Sequence, residues 1–355
     1  MNLEIARYVD RWLGLPLCLA LYAVARLFGR RLPALGATTP PSGEPPVRPQ
    51  RVLGIKFYGL GNIVMILPVL HELQRAFPGV EIDFLTLPGN ADLLMRSGLV
   101  RRVLTVDVGG IGAFVRSVFT LLGELRSGRY DAVLDFEQFM KLSGVFAFFT
   151  GAPERIGLNT EGQQRAWLYT TRVAYTDSDH TTESFLRLLA PLGVVPDHRP
   201  DWRLPVPATD RKQIRAFLAA EHVVPGGPLV VLHLGTGPNY NKIALKRWDL
   251  TRFAATADTL VERHGATVVF TGQGAEERAL VGDAIGRMRG HAVDSCDRLG
   301  IADLAASVGS STFCPGYAAA SDEMNRVSAH SRPLTGRVTS PFLRQITNAV
   351  SNSVS

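Results

Sequence analysis

Cysteine is scarce in this chain: Cys18, Cys296 and Cys314 lie far apart, and no Cys-x-x-Cys pair occurs. That excludes a disulfide-stapled scaffold and a cysteine-rich zinc site, and it suits a reducing compartment. The eight histidines have no metal-ligand spacing, so no metal is expected. No apolar run reaches the roughly 18 residues of a spanning helix, which removes a polytopic membrane protein. A basic folded body is missing too, although the net charge is +6. Residues 1–50 hold six arginines against Glu4, Asp10 and Glu44, and residues 309–355 hold four against Asp322 and Glu323. The body between them is close to neutral, so a nucleic-acid partner is excluded. What remains is a chain of 355 residues, 46% apolar and 20% charged, enough for two cores.

The front end is organised differently from the rest. Residues 12–25 form an apolar run of 14, broken only by Gly14 and Pro16. Arg7 and Arg11 precede it, and Arg26, Arg30 and Arg31 follow. About 21 Å of helix is short of the roughly 30 Å hydrocarbon core, so residues 1–32 are expected to lie in the membrane surface, on the cytoplasmic side. Two other readings compete. One is a helix docked on the protein's own core. The other is a cleaved signal peptide ending at Ala23-Val24-Ala25, a leader that would be long and would contain Glu4 and Asp10. Residues 33–49 hold six prolines, so 33–50 reads as a stiff, extended linker.

From residue 51 short apolar strands alternate with helical spacing. Strands are expected at 52–57, 80–86, 103–106 and 132–136, with helices at 63–77, 113–125 and 142–149. The pattern restarts after Pro205-Val206-Pro207. Helices are expected at 211–221, 248–264 and 275–288, with strands at 229–234 and 267–271. Strands separated by helices imply parallel sheets covered on both faces. The expectation is an α/β protein with Rossmann-like domains at 51–205 and 206–308, their strand carboxyl ends facing a common cleft. Residues 309–355 read as a Ser/Arg/Thr-rich disordered tail, which leaves the second sheet short.

Four stretches carry chemistry. Gly59-Leu60-Gly61-Asn62 follows the first strand, but the third glycine of a dinucleotide fingerprint is replaced by Val64. The loop still lets backbone amides approach an anion; the alternative is a tight turn without a ligand. His233-Leu234-Gly235-Thr236-Gly237, followed by Lys246-Arg247-Trp248, offers amides, a hydroxyl and a point charge beside a helix start, as a diphosphate cradle would. A capped turn with a surface lysine is the plainer reading. Gly272-Gln273-Gly274-Ala275-Glu276-Glu277 leaves a carboxylate at a helix start, for a ribose or base or for the helix dipole alone. Asp135-Phe136-Glu137 ends the fourth strand with two carboxylates on one face, either a base or a structural acid. His180 suits a helix start or an acceptor contact, and Arg155 and Arg172 an anionic acceptor or nothing.

Together these residues resemble the heptosyltransferase-like family 9 glycosyltransferases. The first strand, its glycine turn and Leu67-Pro68 are similar to that family's opening. His233-x-Gly235 through Lys246-Arg247-Trp248, then Thr271-Gly272 and a downstream Glu, are similar to its donor half. Asp10-Arg11-Trp12-x-Gly14-x-Pro16-Leu17-Cys18 and Asp135-Phe136-Glu137 resemble a membrane-associated subgroup. The resemblance implies a GT-B fold and cofactor-free, metal-independent, inverting transfer of a sugar from an ADP-sugar, typically ADP-heptose, to a lipid-linked glycan such as lipopolysaccharide core. It implies that Thr236, Gly237 and Lys246 bind the donor diphosphate and that Gly272 with Glu276 or Glu277 meets the nucleoside. Gly61, His180 and Arg155 fall on the acceptor side.

The chain departs from the family at two points. Asn62 stands where the family has an acidic base, which makes Glu137, with Asp135 behind it, the candidate base and leaves Asn62 to orient the acceptor. Residues 309–355 lack the family's Asp-[Ser/Thr]-Gly-x-x-His loop. Low activity is therefore expected, and a non-catalytic nucleotide-sugar or glycan binder is the competing function.

Overall fold

The computed structural model describes residues 3–27, 48–107, 109–197, 202, 204–224, 226–235, 248–300 and 303. It divides into two compact units, Met1–Pro205 and Val206–Ser355. The expected tail at 309–355 lies outside the described residues.

Unit one is built on six parallel strands: β1 (Arg51–Ile55), β2 (Glu81–Thr86), β3 (Arg102–Thr105), β4 (Ala132–Asp135), β5 (Glu154–Asn159) and β6 (Thr171–Ala174). Their order is β3-β2-β1-β4-β5-β6. Register pairs Ile55 with Leu85 on one side and with Asp135 on the other. The connections are α2 (Leu60–Ala76), α3 (Ala91–Arg96), α4 (Ile111–Ser127) and α5 (Lys141–Thr150), and β6 is followed by α6 (Thr181–Leu186). The central strands are buried on both faces, which is why β1 and β4 read as near-continuous apolar runs; β2 is as deeply buried but carries Asp83, which pairs with Arg101 and Arg102. Sequence reading finds β1 to β4 but misses β5 and β6. Glu154-Arg155 opens β5 and Thr171-Arg172 opens β6, and these polar residues mask two strands whose apolar content is short.

The amino-terminal helix α1 (Leu3–Leu27) docks on unit one. Cys18 and Ala25 pack with Val145 and Phe148 of α5 and with Leu168, and all five are buried. Burying a side chain such as Val or Phe is worth about 1.5–3 kcal/mol each, so the contact is substantial. The opposite face of α1 is apolar and exposed, with Trp12, Leu13, Leu19 and Val24 all outside the core. No helix of the described residues is long and apolar enough to cross a membrane.

Unit two has α7 (Ala208–Ala220), β7 (Leu229–His233), α8 (Leu250–His264), β8 (Thr267–Thr271), α9 (Gly274–Arg287) and β9 (Ala292–Asp294). The strands form a parallel sheet in the order β7-β8-β9 among the described residues. Asp249 starts α8 by accepting from Thr251 N at 2.8 Å, and Gly265 ends it in the left-handed conformation. Val230, Val268 and Phe270 meet Phe253, Ala257 and Val281 in the core.

Candidate active site

In unit one the strand order runs outward from β1 to β3 and then restarts beside β1 with β4. Open α/β sheets bind ligands at the carboxyl ends of the strands where this order reverses. Two segments sit there: residues 56–62, which run from the end of β1 into the first turn of α2, and residues 136–140 after β4. Gly59, at φ 89°, adopts a conformation costly for other residues and turns the chain into α2.

The strand ends at Asp135, so Glu137 stands in the loop and turns inward. Its Oε1 accepts from Phe57 N at 2.7 Å and from Tyr58 N at 3.4 Å. Its Oε2 accepts from Lys56 Nζ at 3.1 Å, and the same ammonium donates to Gln138 Oε1 at 3.0 Å. Lys56 and Glu137 are 2% and 3% exposed. Asn90 completes the set, donating Nδ2 to Phe57 O at 2.9 Å. Glu137 thus splints one loop to the other.

Asp135 is fully buried. It accepts from Tyr169 Oη at 2.6 Å and from Glu137 N at 2.9 Å. Burial pushes its carboxyl above the ordinary range, opposed chiefly by the charge of Arg165. Arg165 donates to Glu137 O, to Leu158 O at 3.1 Å and to Tyr169 Oη at 3.1 Å. The same burial, with Asp135 alongside, holds Tyr169 well above its usual value. The two carboxylates expected as bases are therefore both interior groups.

What faces solvent at this edge is Gly59, Leu60, Gly61 and half-buried Asn62, whose Nδ2 donates to Tyr58 O at 3.3 Å. Beside them Phe139 is exposed and meets Tyr175 edge-on, with ring centroids 6.1 Å apart.

His180 is a helix-start residue, its Nδ1 accepting from Thr182 N at 3.3 Å. Arg155 stands apart from the other acceptor-side candidates of the sequence reading. As the second residue of β5 it sits at the amino end of the sheet, away from the loops above, and donates to Leu168 O at 3.0 Å and Ala152 O at 2.5 Å. Arg172, second in β6, likewise donates to Ala166 O.

In unit two the turn after β8 separates the two glutamates. Glu277 is buried and folds back so that Oε2 accepts from Gln273 N at 2.8 Å. Asp297 accepts from Gly274 N at 2.7 Å and donates its own N–H to Gly272 O at 3.0 Å. The hydrogen bond from Gly274 N and the contact with Arg278 hold the Asp297 carboxyl below its usual range. The amides of Gln273 and of Gly274, the first residue of α9, are thus met from within the protein, and Glu276 is the exposed acid of the pair. Thr236, Gly237 and Lys246 lie outside the described residues; His233, just before them, lies 3.2 Å from Thr271 Oγ1 through Nδ1.

Residues 118–314, more than half of the chain, match the glycosyltransferase family 9 (heptosyltransferase) family. The chain belongs to glycosyltransferase family 9. Lipopolysaccharide heptosyltransferase 3 of Escherichia coli K12 is 26% identical over 234 residues, 64% of each chain. Lipopolysaccharide heptosyltransferase 1 of Pseudomonas aeruginosa is 25% identical over 276 residues, 74% of this chain and 72% of that one. The matched region therefore spans under two thirds of the E. coli relative. Among solved structures, a family 9 glycosyl transferase from Veillonella parvula superposes with a TM-score of 0.65 at 19% identity, covering 75% of this chain and 74% of that one. The E. coli ADP-heptose heptosyltransferase II gives 0.59 at 17% identity, with coverages of 75% and 78%. These likenesses show the fold, the α/β architecture of family 9.

Within this family 9 chain, sequence reasoning overlooked Lys56, Gln138 and Arg165. Lys56 carried a signal, a charged residue closing a buried run, because such a residue must find a partner. Arg165 carried none, since its surroundings are assembled from β4, β5 and the turn before β6.

Proposed function

We propose that this chain is a membrane-associated glycosyltransferase that moves a heptose-like sugar from an ADP-sugar to a lipopolysaccharide-core or related lipid-linked acceptor, with inversion at the anomeric carbon. Family membership carries the reading. Structures of the same fold are described as E. coli heptosyltransferase WaaC with ADP and with ADP-2-deoxy-2-fluoro heptose, which supports an ADP-sugar donor. In this reading the loops at 56–62 and 136–140 hold the acceptor. Thr236, Gly237 and Lys246 take the diphosphate, and Glu276 takes the nucleoside. Inversion requires an acceptor hydroxyl to attack the anomeric carbon as the diphosphate leaves from the opposite face. Cationic and N–H groups offset the charge that builds on the leaving group.

The proton of that hydroxyl is the weak point. Glu137 is the one carboxylate in the two loops, and its oxygens are committed to Lys56 and to the amides of Phe57 and Tyr58. Asn62, on the exposed side, is an amide and takes no proton. We therefore assign Glu137 to positioning and expect slow transfer. A non-catalytic binder is the second reading, favoured by the same amide.

The exposed face of α1 and the five arginines within residues 1–31 support attachment to an anionic membrane surface, at the inner face of the inner membrane.

Calorimetry with ADP tests the donor: Lys246→Ala should weaken binding by about 1.5–3 kcal/mol, the range for a charge-assisted hydrogen bond. Asn62→Asp tests the chemistry. Restored general-base help is worth up to about 10²–10⁴ in rate, so ADP release from ADP-heptose with heptose-deficient lipopolysaccharide should rise at least about tenfold. ADP binding without any transfer in either protein would establish the binder instead.

A further inference from the structure

The residues that dock α1 are spaced four apart: Asp10, Gly14 and Cys18 share one face of the helix. Each meets the first residue of α5. Asp10 accepts from Lys141 N at 3.1 Å and from Leu142 N at 2.7 Å, so its carboxylate caps α5 from 131 residues away in sequence. Gly14 passes so close that a Cβ there would come 2.7 Å from Lys141 Cβ. The Cys18 thiol lies 3.9 Å from Lys141 O. Burying a carboxylate is expensive, and Asp10 is 6% exposed. Anchoring alone would be served as well by an apolar residue.

Lys141 also ends the loop that carries Glu137. From Asp10 the contacts run through the amides of Lys141 and Leu142, along residues 137–140, and through the Glu137 carboxylate to Phe57 N, Tyr58 N and Lys56. The next residues are the exposed glycine turn.

We propose that Asp10 is a positioning residue: through the start of α5, the amino-terminal helix sets the geometry of both loops at the carboxyl edge of unit one. The functional weight of this rests on the reading of those loops as the acceptor side; the mechanical link does not. The helix that carries the exposed apolar face is then also the strut under the acceptor loops, so engaging it reaches the site.

Hydrogen exchange on the full-length chain, followed by mass spectrometry, tests the link without substrate. In Asp10→Ala the amides of residues 57–62 and 137–142 should exchange roughly five- to tenfold faster, the scale of a lost helix cap. Strands β7 and β8 serve as the internal reference and should keep their rates. Gly14→Ala forces the same contact apart from a different residue and should accelerate the same segments. Asp10→Asn, which retains one carbonyl acceptor, should fall between Asp10→Ala and the native chain. If Asp10→Ala does not fold, Gly14→Ala and Asp10→Asn decide the matter. Native exchange at 57–62 in these variants would overturn the proposal. So would a uniform acceleration across all of unit one, because Asp10 would then contribute stability and nothing more specific. Failure of the transferase reading would show as absent ADP binding and would leave the exchange result intact.

Discussion

Lys56 and Glu137 form a buried ion pair, 3.1 Å from Nζ to Oε2, across the point where the strand order of the first sheet reverses. The pair stitches the end of β1 to the end of β4, strands separated in sequence by β2, β3 and α4. Removing one partner leaves an uncompensated charge in the interior, which typically costs about 3–5 kcal/mol. Glu137→Ala should therefore lower the urea stability of unit one by that order. Lys56→Met added to it should recover part of the loss. A double variant no better than Glu137→Ala would mean that the loop amides, rather than the ammonium, depend on Glu137.

Asp135 gives unit one a pH dependence of defined sign. Its carboxyl is raised from an ordinary 3.8 by burial. The folded state therefore keeps this proton to higher pH than the unfolded chain does. The stabilisation is complete below 3.8 and is lost as pH rises through the folded value. Asp135→Asn mimics the neutral form and lacks that loss. Urea midpoints taken from about pH 4 to pH 7 should show the variant gaining on the native chain as pH rises. A constant difference, or one drifting the other way, would exclude the assignment.

Cys18 is a built-in reporter of how α1 docks. Burial, with Asp10 nearby, pushes its thiol up to about 12. Since the thiolate is the reactive form, iodoacetamide at pH 8 should modify Cys18 at least about tenfold more slowly than a free peptide thiol. Asp10→Ala should speed the reaction. Peptide mapping follows it directly, and rapid labelling in the native chain would mean that the helix leaves its seat.

Glu276 and Glu277 should separate cleanly. Glu277→Ala removes the acceptor for Gln273 N and should destabilise unit two by about 1.5–3 kcal/mol, the worth of a hydrogen bond to a charged group. Glu276→Ala should leave stability within about 0.5 kcal/mol, as exposed substitutions do. If Glu276 meets the nucleoside, the same change weakens ADP binding by about 0.5–1.5 kcal/mol in calorimetry. The reverse pattern would exchange their roles.

Legibility in the sequence followed the length and purity of each apolar run. β1 and β4 are nearly unbroken, β2 is interrupted only by Asp83, and the apolar pattern places all three within a residue or two; the restart after Pro207 is plain. β5 and β6 were missed because their outer positions are polar or basic. At the site, the alternation that put Asp135 and Glu137 on one face was correct for a continuing strand, but β4 stops at Asp135 and the next carboxylate turns into the protein. Local pattern says where a charged group stands in the chain. It does not say which distant amides that group will satisfy, and both Glu137 and Asp10 are defined by such amides.

The seat of α1 has a consequence for synthesis. Its partner, Lys141, follows Asp10 by 131 residues. At about 5–20 residues per second the helix leaves the ribosome roughly 7–26 seconds before α5 exists. Throughout that interval both faces of α1 are uncovered: the stripe that will meet Val145 and Phe148, and the outer stripe with Trp12 and Leu13. A nascent chain in that state needs a holder, either a chaperone or a lipid surface. A shortened chain that begins at residue 51 inherits the complementary defect, with Val145, Phe148 and Leu168 bare and the first amides of α5 uncapped, and should aggregate as it is made.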